Sequence, residues 1–141
     1  MANQAAIHFK YLLATKAVSF ASDSFKIILM ASGFNFDRNN HKVHADVVAN
    51  ELATNYGYTQ DTKTLTSVVV LEDDTNEECS VKWGNPSWTA SGGSIGPANG
   101  AIILDATISG EAIVGFIDFG QDFTQVDGGT LTIANPEVDL I

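Results

Sequence analysis

The chain has 141 residues, 45% of them apolar and 17% charged, which is enough for one domain with a substantial core and too few for two. Seventeen acidic residues against seven basic ones give a formal charge of −10, and the basic residues stand singly, at Lys10, Lys16, Lys26, Arg38, Lys42, Lys63 and Lys82. Without a basic cluster to neutralise phosphates, neither nucleic acid nor an anionic membrane surface is an expected partner. No apolar run approaches the roughly 20 residues of a membrane-spanning helix, and no basic n-region precedes an apolar run, so neither a span nor a signal peptide is expected. The single Cys79 excludes an intramolecular disulfide and reads as a small buried strand residue.

In chain order, Ile7, Phe9, Tyr11 and Leu13 alternate with His8 and Lys10, a period of two that predicts a half-buried strand. Residues 1–20 are expected to form an N-terminal strand or arm, and residues 21–141 the main domain. Phe25–Ala31 is almost continuously apolar and predicts a strand buried on both faces. From Gly33 to Tyr58 the alternation stops, and Asn35, Asn39, Asn40 and Asn50 accumulate. Val47, Val48 and Leu52 support at most one or two helical turns there. A loop of this length in a small domain is usually functional or interfacial.

Thr64–Glu72 predicts a β-branched strand, with Leu65, Val69 and Leu71 on one face and Thr64, Thr66, Val68 and Val70 on the other. A turn at Asp73–Asn76 returns the chain through Glu78–Gly84, which makes 64–84 a predicted hairpin. Trp83 is assigned to the core, while Trp88 is left open between core and interface. After the Gly-rich turn at Ser91–Pro97 come three apolar runs, Ala101–Leu104, Ala112–Phe119 and Thr130–Ala134, each about ten residues from the next. About eight short strands at this spacing predict an all-β, single-domain antiparallel fold, a β-sandwich or a barrel, with one long loop or short-helix excursion.

The candidate chemistry is thin. Glu72, Asp73, Asp74, Glu77 and Glu78 lack the spacing of a calcium loop and read as a solvated hairpin turn. His41 and His44 have a pairing distance suited to zinc, but His8 and Cys79 are the only further histidine or cysteine ligands. Asp118, Asp122 and Asp127 invite a two-carboxylate glycosidase reading and fit turn and strand-end roles better. The Gly-rich segment lacks the lysine of a phosphate-binding loop. No catalytic grouping, cofactor, metal or small-molecule substrate is expected.

FKIIL at Phe25–Leu29, DVVANELA at Asp46–Ala53 and TLTSVVV at Thr64–Val70 carry a resemblance that continues through the tryptophan segment. It resumes in GAIILD at Gly100–Asp105, VGFIDFG at Val114–Gly120 and GGTLTI at Gly128–Ile133. The chain from about residue 25 onward resembles small structural proteins of tailed bacteriophages, of the capsid decoration or cement type. The resemblance implies a jelly-roll-like sandwich on the outer surface of the virion, often a homotrimer, clamping the major capsid protein. Related sequences are assigned to heads, to tails or only to virions, so a tail or fibre module touching glycans through Trp88 is the alternative. The N-terminal segment either pairs with a neighbour's sheet edge or forms an ordinary first strand. Candidate subunit or capsid contacts are Ile7, Phe9, Tyr11, Phe34, Phe36, His41, His44, Trp88, Leu140 and Ile141. The apolar residues Val138, Leu140 and Ile141 imply a C-terminus that is tied down.

Overall fold

The runs richest in apolar and β-branched residues form the longest strands. In the computed structural model, which describes residues 2–140, the chain runs β1 (Ala2–Ala5), α1 (Ile7–Ala14), β2 (Phe25–Ala31), β3 (Lys63–Leu65), β4 (Val69–Asp73) and β5 (Glu78–Lys82). It continues through β6 (Ser87–Thr89), β7 (Ile95–Asp105), β8 (Ala112–Gln125), β9 (Thr130–Thr132) and β10 (Glu137–Leu140). One sheet has the order β1-β8-β7-β2-β3, a second β10-β5-β4 and a third β6-β9. Every strand pairing within them is antiparallel. The architecture is all-β and sandwich-like, and the sheets share one core that runs from Ala5 to Val138.

At its centre Ile27, Ile28, Leu29 and Met30 of β2 are fully buried, as are Ile102, Ile103 and Leu104 of β7. Each such side chain contributes about 1.5–3 kcal/mol relative to exposure. The continuous apolar runs, rather than alternating ones, belong to strands covered on both faces. Phe9, Phe20, Phe25 and Trp83 form a linked aromatic cluster beside them, with centroids 5.4–6.1 Å apart.

The strand expected over residues 7–13 is instead the helix α1. Phe9, Leu12 and Leu13 lie at i, i+3 and i+4 and turn toward the core, whereas Ile7 and Tyr11 share the solvent face, 43% and 61% exposed. The helix ends in a Schellman motif: Ala17 N–H donates to the Leu12 carbonyl, Lys16 N–H to that of Leu13, and Lys16 adopts φ 61°. Residues 2–5 supply the N-terminal strand, with Gln4 opposite Phe116 within this chain's own sheet.

The predicted hairpin is also shorter. Ser67, at φ 58°, breaks the run, so Lys63–Leu65 joins β2 and only β4 and β5 form the hairpin. The number of strands is ten among the described residues rather than about eight, because short β1, β3 and β6 carry little pattern of their own. At the other end, Val138 is fully buried and Leu140 lies opposite Cys79, so the C-terminus is tied into its own sheet. Ile141 lies outside the described residues.

The excursion holds two single turns of 3-10 helix, His44–Asp46 and Val48–Asn50. It also covers the edge of β2 that short β3 leaves bare. Leu52 N–H donates to the Leu29 carbonyl at 2.9 Å, and Leu29 N–H donates to Tyr58 Oη at 3.0 Å. A tyrosine hydroxyl therefore replaces a ladder bond on a buried strand.

Candidate functional site

Three features stand apart from the core: a cleft, a polar network and a free strand edge. The cleft, about 420 Å³, is built where β8 runs past the end of β1 and its register with β7 shifts. Phe116 and Asp118 are two residues apart on β8 and so share a face. Gly120, at φ +77°, redirects the strand, and its N–H donates to Asp118 Oδ1 at 2.8 Å. Asp122 Oδ2 accepts a bond from Ser32 Oγ at 2.5 Å. Gly100 pairs with Asp118 across the β7–β8 ladder, and any Cβ there would collide with the Phe116 ring.

The start of the excursion closes the other wall. Phe34 meets Phe116 edge-on at 5.6 Å, and Phe36 lies 5.5 Å from the same ring. His41 stacks behind Phe34 at 5.5 Å, with Nδ1 accepting from the Asp37 N–H at 3.1 Å. Asn99 Nδ2 donates to the Phe34 carbonyl at 2.8 Å, while its Oδ1 is buried without a partner. Gln4, Asn35 and Gln121 complete the rim, and among the described residues no Lys, Arg or His lines the cleft.

The polar network joins β2, the excursion and the β7–β8 loop. Lys26 Nζ lies 2.6 Å from Glu111 Oε1 and 3.4 Å from Asp61 Oδ1. His44 Nε2 lies 2.9 Å from Glu51 Oε2, and its Nδ1 lies 3.5 Å from Glu111 and 3.9 Å from Asp61. Buried Glu51 also accepts from Tyr58 Oη at 2.8 Å and from the Asp61 N–H at 2.9 Å. The Glu111 carboxyl is held above its ordinary range by burial first and by Asp61 second, effects that outweigh the nearby ammonium. That same bond to Glu111 is what raises Lys26, against the pull of burial.

His44, Asp61 and Glu111 offer three ligand atoms within 4.8 Å of one another, the donor types of a divalent site. The Lys26 ammonium already sits against both carboxylates, so a side chain occupies the cationic position. The network reads as a staple that holds the excursion on the sheet.

The third feature is β4, the outer strand of its sheet. Val69, Val70 and Leu71 are 49%, 52% and 42% exposed, so apolar surface is presented on both faces of an unpaired edge. The turn that follows is held by Asp73, whose carboxylate accepts the N–H groups of Thr75 and Asn76 and is lowered in pKa by those bonds and by the Asn76 side chain.

The residues singled out from sequence divide among these features. Phe34, Phe36 and His41 come together at the cleft, and Asp118 and Asp122 line it, whereas Asp127 is elsewhere, accepting from Gly92 N–H. His44 parts from His41 and belongs to the network. Phe9 and Trp88 are core residues: Phe9 is fully buried and Trp88 is 4% exposed, packed near Tyr58 and beneath the Lys63 ammonium. Trp88 pairs with Leu131 in the small β6–β9 sheet, which turns its ring inward. Leu140 is half-buried in β10, and Ile7 and Tyr11 are surface positions. Gln4, Asn99 and Phe116 were missed, although the missing side chain at Gly100 beside a Phe–x–Asp alternation is a trace of the cleft.

Comparison with protein-family models, with curated proteins and with solved structures finds no match to this chain. Among the described residues no helix is long and apolar enough to cross a membrane.

Proposed function

We propose that this chain is a virion structural protein of a tailed phage that decorates the assembled capsid, binding the major capsid protein on its outer surface as a homotrimer. The observation that carries the docking role is the free β4 edge with Val69, Val70 and Leu71 exposed. Such an edge accepts an added strand: main-chain hydrogen bonds supply affinity and alternating side chains supply selectivity. A protein that binds only the assembled shell stabilises it by mass action, without any reaction centre. The capsid assignment and the trimer come from the sequence resemblance; the edge strand supports the mode of attachment. The glycan-binding alternative loses its motivating residue, because the Trp88 ring is buried.

Co-sedimentation with assembled shells tests the proposal, alongside cryo-electron microscopy of intact particles. The wild-type chain is expected to pellet with shells and to appear as density over the capsid lattice. Val70→Lys combined with Leu71→Lys keeps the fold, because both positions are exposed, and is expected to weaken retention at least about tenfold, or about 1.4 kcal/mol. Density confined to the tail, or unchanged retention of the lysine variant, would overturn it.

A further inference from the structure

We infer that the Phe116 cleft is a receptor for an arginine side chain presented by the docking partner, an inference that rests on the docking role proposed above. Its lining selects the ligand class. Asp118 and Asp122 each spend one carboxylate oxygen on a local bond, to Gly120 N–H and Ser32 Oγ, and each keeps the other oxygen without a hydrogen-bond partner among the described residues. Asn99 Oδ1 is a further acceptor beneath the lining, buried and without a partner among the described residues. The cleft is therefore rich in acceptors, and none of its lining side chains is cationic among the described residues.

Such a site repels phosphate and carboxylate ligands and favours a cationic donor, in a chain whose formal charge is −10. Between the two cationic side chains, geometry favours arginine. Phe36, the partly exposed member of the Phe34–Phe36–Phe116 cluster, offers a planar guanidinium an aromatic contact, and its fork of donors suits the two carboxylates in the lining. A lysine ammonium is a compact, strongly hydrated point charge that gains less from either feature. At about 420 Å³ the cleft has room for a long side chain and falls within the usual range for small-ligand pockets.

The test is an amide NMR titration of the full chain with N-acetyl-arginine amide, its neutral isostere N-acetyl-citrulline amide, and N-acetylglucosamine. Saturable shifts at Asn35, Phe36, Asn99 and Gln121 are expected with arginine, and binding at least about tenfold weaker with citrulline. Asp118→Asn with Asp122→Asn preserves both local hydrogen bonds while removing both charges, so it should fold normally and lose the arginine response. Equal response to citrulline, a response to the sugar alone, or no response in a folded protein would each overturn the inference. The titration needs no capsid, so failure of shell binding with an intact arginine response would sink the docking proposal and leave the cleft's ligand class standing.

Discussion

Asp105 makes this fold sensitive to pH in a direction opposite to that of most stabilising carboxylates. It closes β7 with no solvent exposure; Oδ1 accepts the Thr107 N–H at 3.1 Å, and Oδ2 is buried with no donor among the described residues other than the neighbouring Asp23 carboxyl. Burial is the main cause, and the adjacent Asp23 carboxyl the second, of a pKa pushed up from 3.8 to about 7. Between those values the folded protein holds a proton that the unfolded chain has released. Stability therefore falls as pH rises through this window, and the full shift corresponds to a ceiling of about 4 kcal/mol.

From pH 5 to pH 8 the group titrates over about two pH units at 1.36 kcal/mol each, or about 2.7 kcal/mol. Asp105→Asn keeps the acceptor for Thr107 and removes the ionisation. Acidic groups remote from this site titrate alike in both proteins, so the difference between the two reports the Asp105–Asp23 pair. Urea denaturation at pH 5, 6.5 and 8 is expected to show the variant gaining on wild type as pH rises. At typical urea slopes the relative midpoint shift is roughly 1–2 M. A difference that is constant with pH, or one that favours wild type at pH 8, would refute the assignment of the proton to this site.

Two further outcomes probe the parts that position the candidate surfaces. Tyr58→Phe deletes the hydroxyl that serves both Leu29 N–H and Glu51, leaving a buried backbone donor unpaired, and is expected to cost about 1–3 kcal/mol in thermal or urea melts. Faster hydrogen exchange at Leu29 is the local signature, and unchanged protection there would rule out the edge-covering role. Gly100→Ala drives a methyl group into the Phe116 ring and the Ile117 carbonyl; about 1–3 kcal/mol of destabilisation is expected, with the largest chemical-shift changes lining the cleft.

Much of the sandwich was legible because its central strands are written as uninterrupted apolar runs. Phe25–Ala31 and Ala101–Leu104 admit few alternatives at that length. The misreading at residues 7–13 has a specific source. Ile7, Phe9, Tyr11 and Leu13 satisfy a period of two, while Phe9, Leu12 and Leu13 satisfy a helical period, and seven residues cannot separate them. Burial separates them, since Ile7 and Tyr11 face water. The cleft was visible only in fragments. Phe34, Phe36, Asp118 and Asp122 were each noticed, but strand register brings Gln4 of β1 beside Phe116 of β8, and no local pattern encodes that pairing. The polar network was hidden similarly, because Lys26, His44, Glu51, Asp61 and Glu111 come from separate segments.

How the chain treats its sheet edges separates a docking strand from an aggregation hazard. The outer side of β2 is covered by Leu52 and Tyr58, β3 has only three residues, and β1 packs beside β10. Those are protective devices. β4 has none of them: it is five residues long, contains neither lysine nor proline, and exposes three consecutive apolar side chains. In-register parallel self-pairing through it is opposed locally, since it would bring the acidic tips at Glu72, Asp73 and Asp74 of two copies together. A basic or neutral partner meets no such opposition. Under the docking role proposed above, that acidic tip biases the edge toward a neutral or basic partner strand.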